Sequence, residues 1–298
     1  MTATRTGPDP GSGTSSTPGA TRTRRPRGRV RATQTGQPLG VGSTLGLGIA
    51  MTWFSLLVLI PLAAVLVAAS TGGWDGFWTT ITSTQTASAL RLTVVEALGV
   101  TALNVVMGTA LAWVLVRDRF WGKRLLDLVI DVPFALPTIV AGLVLLSLYG
   151  AQSPIGVDVA STRIAVFLAL AFVTLPFVVR TVQPVLESLE RDVEEAAASL
   201  GASRATTFRR VILPSLVPAI TAGAALSLAR AISEYGSLVL LSGNLSNRTE
   251  VASVRVLVYI ENGNEAAAAS VAAILLVVAL LVIVLLDLIQ RRVARRGE

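Results

Sequence analysis

The chain has no cysteine and no histidine. That inventory excludes disulfides, thiolate nucleophiles, imidazole general bases and zinc sites built from Cys and His. Charge is scarce too, at 14% of residues, and lysine occurs once, at Lys123. A phosphate-cradling loop of the form GxxxxGK[ST] needs its lysine, its opening glycine and a hydroxyl after the lysine. WGKRL lacks the opening glycine and puts Arg124 after the lysine. The chain therefore cannot itself be an ATPase of that kind. What it has in abundance is apolar surface: 52% hydrophobic residues and a mean hydropathy of +0.68. Such a composition calls for a bilayer as solvent.

A helix that crosses a bilayer needs roughly 20 mostly apolar residues. Six runs qualify, at about 45–69, 92–116, 125–149, 164–186, 216–241 and 266–289. The expected fold is an all-α membrane protein with six transmembrane helices, and an even number puts both termini on one side. Lys and Arg in short loops resist translocation and choose that side. Of the 25 Lys and Arg residues, only Arg91, Arg163, Arg248 and Arg255 fall on one set of loops, with Arg180 at a helix end and Arg230 within a span. The rest lie in the N-terminal tail, in 117–124, in 187–213 and in the C-terminal tail. Both termini and the 187–213 loop are expected to be cytoplasmic, in a multi-pass membrane protein.

Residues 1–40 are rich in Gly, Pro, Ser and Thr and include the basic cluster TRTRRPRGRVR. They bury too little apolar surface to order themselves, and the expectation is a disordered cytoplasmic tail. Such a cluster can attract lipid or nucleic-acid phosphates; the simpler reading, preferred here, is a positive flank that orients the first helix, with no nucleic-acid partner. A cleaved signal peptide fits badly, because the apolar run is too long and begins too late. Residues 41–89 then hold a retained first helix and an external loop.

EEAAASLGASRATTFRRVILP, 194–214, lies between the fourth and fifth runs. Glu194 to Leu200 favours helix, Gly201 suits the left-handed conformation that ends one, and Ser203 can cap a second helix running to Pro214. Ala197, Leu200, Phe208 and Val211 alternate with charges. The segment can lie in the lipid interface or dock on another protein, since alanine-rich faces allow close approach. The residues alone leave both open.

Glu195-Ala196-Ala197, three residues, Gly201, nine residues, then Val211-Ile212-Leu213-Pro214 resembles the EAA loop of permease subunits of ATP-binding-cassette importers of the binding-protein-dependent (MetI-like) class, with Val where that family usually has Ile. The resemblance covers about 90–291, with the loop at 187–214 between helices 4 and 5 and a basic cytoplasmic tail at 292–298. It implies that Glu194, Glu195, Ala196, Ala197, Gly201, Val211, Leu213 and Pro214 form a coupling helix that fits a groove on a cytoplasmic ATPase. One chain supplies one such loop, and importers of this family carry two ATPase copies, so a second permease subunit is implied. ATP-Mg would belong to the ATPase, and no cofactor or metal is indicated in this chain.

DLVIDVPFALPTIVAG (127–142), LPFVVRTVQPVLESL (175–189), ARAISEYGSLVLLSGN (229–244) and TEVASVRVLVYIE (249–261) resemble the T subunit of bacterial sulfate/thiosulfate importers. Molybdate permeases share the EAA loop and an ARAxxE-like segment, but the continuation into EYGSLVLLSGN is more like the sulfate type. The implied machine pairs a T-type with a W-type permease on two ATPase copies, fed by an external sulfate-binding protein. Pro137, Thr138, Arg230, Ser233 and Glu234 are candidate residues of the substrate path. Proline frees a backbone carbonyl, tolerable in lipid only beside protein or a wet cavity, and an arginine within a span needs the same shelter. Arg230 and Glu234 stand four apart and can pair on one helix face; Asp131 is an alternative partner. Arg230 either locks helix packing or lends positive potential to an anion's path. A secondary transporter would need coupling-ion carboxylates or inverted repeats, and Glu96, Asp127, Asp131, Glu234 and Asp287 are the few acids within the spans.

Overall fold

A computed structural model describes residues 41–189 and 191–294. The expected disordered tail at 1–40 and the end of the C-terminal tail lie outside the described residues. Residues 41–51 fall in a first unit and form the start of helix α1 (Val41–Phe54). The second unit begins at Thr52. In it a π-turn (Ser55–Leu59) leads into α2 (Ile60–Ser70), followed by α3 (Gly73–Thr82), α4 (Thr84–Arg117), α5 (Lys123–Ala135), α6 (Thr138–Tyr149) and α7 (Arg163–Ser188). After these come α8 (Arg191–Ser199), α9 (Arg204–Thr207), a second π-turn (Phe208–Ile212), α10 (Leu213–Ile232), α11 (Gly236–Leu241), α12 (Ala252–Glu261) and α13 (Glu265–Ala294). No strand occurs among the described residues.

By length and apolar composition, five helical runs can cross a membrane: Ser43–Ser70, Thr84–Arg117, Arg163–Ser188, Arg204–Ile232 and Glu265–Leu288. A sixth exists only if α5 and α6 are taken as one span bent by 117°. The expected straight span at 125–149 is thus two half-helices. Leu136 is extended (φ −88°, ψ 134°), as the ring of a following proline demands. Pro137 then stands at the N-cap of α6, with no backbone donor to lose. The fifth span also differs from its expected bounds. It starts at Arg204 and ends at Ile232, and the last residues of the apolar run form the separate helix α11.

Helices α4, α7 and α10 form the centre, packed through small residues that let backbones approach. A Cβ on Gly108 of α4 would lie 2.8 Å from Val178 Cβ of α7, and one on Gly223 of α10 would lie 3.0 Å from Val178 Cα. One polar pair crosses this seam: Asn104 Nδ2 donates to Thr174 Oγ1 (2.8 Å), which donates to Leu170 O (2.7 Å). One buried cluster, including Val178, Val182, Leu186, Ile212 and Leu216, fills the end of the bundle beside α8 and α9. A second, including Val100, Val166, Leu170, Leu238 and Leu241, fills the end beside α11 and α12.

Both π-turns precede a proline by two residues, Pro61 and Pro214. A proline ring collides with the carbonyl four residues back, here Leu57 and Arg210. Both carbonyls lie inside the π-turn, and widening the helix there gives the ring room. The second helix of the 194–214 stretch therefore does not stop at Pro214, as the sequence suggested, but runs through it into α10.

Candidate functional site

Two sites emerge from the sequence-singled residues. The first is a helical elbow. Helix α8 ends at a Schellman turn, in which Gly201 N donates to Ala198 O (2.9 Å) and Ala202 N to Ala197 O (3.0 Å). Gly201 has φ +81°, as expected of a glycine in the left-handed region. Ser203 caps the next helix, its Oγ accepting from Thr206 N (3.3 Å).

The elbow is anchored on its inner side. Arg117, at the end of α4, pairs with Glu194 at 2.5 Å and donates to Leu189 O (3.4 Å). Its guanidinium lies 6.0 Å from the Trp113 ring centre, and Trp113 meets Phe208 edge to face at 5.5 Å. These groups and Arg204 border a cleft of about 480 Å³. Glu195 and Ala198 also line this cleft, whereas the outer side is bare: Ala196 and Gly201 are exposed, and Leu200 is 89% exposed at the tip. The apolar residues of the stretch thus divide, Phe208 and Ile212 facing the bundle and Leu200 facing away. No single apolar stripe remains for lying flat in lipid. Val211 and Leu213 are half-buried and Pro214 is exposed.

The second site is where two chain breaks meet. Helix α11 packs on α6 with backbone against backbone: a Cβ on Gly142 would lie 2.7 Å from Ser237 O, and one on Gly236 would lie 2.9 Å from Ile139 N. Thr138, next to Pro137, also abuts Gly236. Glu234, in the break before α11, has a wholly buried side chain. Its Oε1 accepts from Ser237 N and Ser237 Oγ, both at 2.9 Å. Its Oε2 meets Arg230 Nη2 at 2.8 Å, a charge contact rather than a well-directed hydrogen bond. Ser253 Oγ holds the Glu234 carbonyl at 2.7 Å. Ser233 is exposed, and its hydroxyl turns back to Arg230 O (3.1 Å).

Arg230 and Glu234 pair as the i,i+4 spacing suggested, but Arg230 lies in the last turn of α10 and Glu234 beyond its end, not within a continuous span. Asp131 is committed elsewhere. Arg180, read from sequence as sitting at a helix end, lies inside α7 and forks onto Asp131, Nε to Oδ1 and Nη2 to Oδ2, both at 2.7 Å. It also reaches Asp127 Oδ1 (2.8 Å) and Gln183 Oε1 (2.6 Å). Sequence reasoning missed this cluster, and also Gly142, Gly236 and Ser237. The available signal was DLVID, two acids one turn apart on a helix of otherwise apolar residues.

The described residues form an apolar helical bundle with a short helical elbow between α7 and α10, and this fold is the one found in solved ABC transporters. A bacterial alginate ABC transporter in complex with a pentasaccharide-bound periplasmic protein superposes with a TM-score of 0.70 at 17% identity, covering 84% of this chain and 94% of that one. The MetNI methionine ABC transporter, in inward-facing form, gives 0.53 at 19% identity, covering 69% and 96%. The chain belongs to the family described as "Binding-protein-dependent transport system inner membrane component", whose model matches residues 104–296. It is 42% identical over 234 residues to the sulfate transport system permease protein CysT of Salmonella typhimurium, across 76% of this chain and 84% of that protein. It is 43% identical over 227 residues to the CysT of Synechocystis, across 74% and 79%.

Proposed function

We propose that this chain is a permease subunit of an ATP-driven importer of sulfate or thiosulfate, forming half of the path and taking its power stroke from a separate ATPase through the 187–214 elbow. The observation that carries the coupling role is the elbow's two-sidedness. Its inner face is tied to α4 by Arg117–Glu194 and Trp113–Phe208, while its outer face presents Leu200 and small residues to a partner. Because α9 continues through the π-turn into α10 without a stop, a push on the elbow passes along one continuous helical run to the break that holds Arg230 and Glu234.

On this reading α5 and α6 form one bent span, giving six, with both termini and the elbow cytoplasmic. The transmembrane domain occupies about 90–291, preceded by the tail at 1–40 and the first helix and loop at 41–89. A W-type second permease, two ATPase copies and an external sulfate-binding protein complete the machine, and the ATPase rather than this chain holds ATP-Mg. Arg230, held by Glu234, lends positive potential to the path, to which Pro137, Thr138 and Ser233 also contribute. The names of the relatives support sulfate as cargo. Cells that lack this chain and any second sulfate importer are expected to need cysteine or another reduced sulfur source while molybdoenzyme activity stays normal. The reverse phenotype would make molybdate the cargo.

A further inference from the structure

Away from both sites, the ends of α4 and α7 enclose a cleft of about 370 Å³ bordered by Ser88, Arg91, Leu92, Val95, Glu96 and Arg163. Ser88, Arg91 and Val95 follow one another at helical spacing along α4, so Arg91 and Arg163 face the same space from two helices. Arg163 is the first residue of α7. A cation there stands at the positive end of the helix dipole, where it opposes helix stability. Its Nε donates to Arg248 O (3.2 Å), which helps fix the guanidinium in place, and the Glu96 carboxylate offsets only part of its charge from a distance.

Among the described residues neither Arg91, Arg163 nor Glu96 forms an ion pair. The contrast with Arg255 is direct. Arg255 contacts Gln85, the ring of Tyr259 at 4.6 Å and Glu250 at 3.5 Å, and is used up in the fold. Arg91 and Arg163 are exposed, and Arg163 engages only its Nε, on Arg248 O. Two planar forks that converge on one cleft suit an anion with several oxygens, because each guanidinium can bond two of them. Glu96, in the same cleft, weakens the hold, which suits a site that must release what it binds.

We infer that the Arg91–Arg163 cleft binds a tetrahedral oxyanion on the outer face. The placement on the outer face rests on the proposed importer reading. Two sources share this chemistry, free sulfate and the phosphate of a lipid headgroup.

The test uses the intact importer complex without its binding protein, with radiolabelled sulfate as probe, once in maltoside micelles stripped of phospholipid and once in phospholipid nanodiscs. A free-anion site retains sulfate in both. A headgroup site retains it in micelles, loses it in nanodiscs, and holds a phospholipid visible by native mass spectrometry. In either case Arg91→Gln and Arg163→Gln are each expected to weaken sulfate binding in micelles about tenfold, Arg163→Lys less, and Glu96→Gln is expected to strengthen it. Wild-type affinity in the Arg91→Gln/Arg163→Gln double variant, weaker binding in Glu96→Gln, or no oxyanion on the wild-type complex in either setting would overturn the site. Cellular sulfate uptake by the wild-type importer separates this failure from failure of the importer reading itself.

Discussion

At the scale of single residues, Glu234 is the side chain with most resting on it. It is fully buried, neutralises Arg230 and holds both the backbone and hydroxyl donors of Ser237. Removing a partner from a buried donor costs about 1–3 kcal/mol. Glu234→Ala is therefore expected to lower the thermal midpoint of the purified complex, whereas Arg230→Lys, which keeps a cation beside the carboxylate, is expected to assemble normally. Transport then separates the roles of Arg230. If Arg230→Lys transports and Arg230→Gln assembles but does not, the arginine acts on the anion; if Arg230→Gln transports as wild type, it serves packing alone.

At the scale of elements, the elbow and the α6–α11 contact each depend on a glycine for a different reason. Gly201 needs its positive φ, which a β-branched residue cannot adopt without strain. Gly201→Val is expected to abolish uptake with normal membrane levels, and Gly201→Asn to retain much of it, because asparagine tolerates the left-handed region. Gly142 needs space: an added Cβ would meet the carbonyl of Ser237 at 2.7 Å. Gly142→Ala should cost about 1–3 kcal/mol as overpacking, read as a lower unfolding temperature of the complex.

The first of these glycines was legible in the sequence and the second was not. LGAS declares its turn locally, through a helix-ending glycine and a capping serine. Gly142 is defined by a segment almost a hundred positions away. The same limit explains the fifth span, whose apolar run continues through GSLVLL although the helix has ended at Ile232. Hydropathy sums apolar character and does not see Glu234 turning back to cap the next helix. The prolines were visible as interruptions, but whether they break the chain, as at Leu136–Pro137, or only widen a turn, as at Pro214, depends on what packs around them.

At the scale of the whole molecule, the distribution of Lys and Arg sets the proposed orientation. A reporter fused after Glu298, or inserted near Ser203, is expected to be cytoplasmic. Reporters near Gly73, Ser153 and Asn247 are expected to be external. An external C-terminus would mean that α5 and α6 form a re-entrant pair or that the first run does not cross.

The importer claim itself stands or falls on what drives the anion. The most direct measurement is sulfate uptake into proteoliposomes containing this chain, its sister permease and the ATPase, with the binding protein outside and ATP-Mg either enclosed or omitted. Uptake is expected only with enclosed ATP-Mg, and is expected to disappear with Gly201→Val. Uptake that proceeds without ATP and follows an imposed ion gradient would contradict the claim and make this chain a secondary transporter.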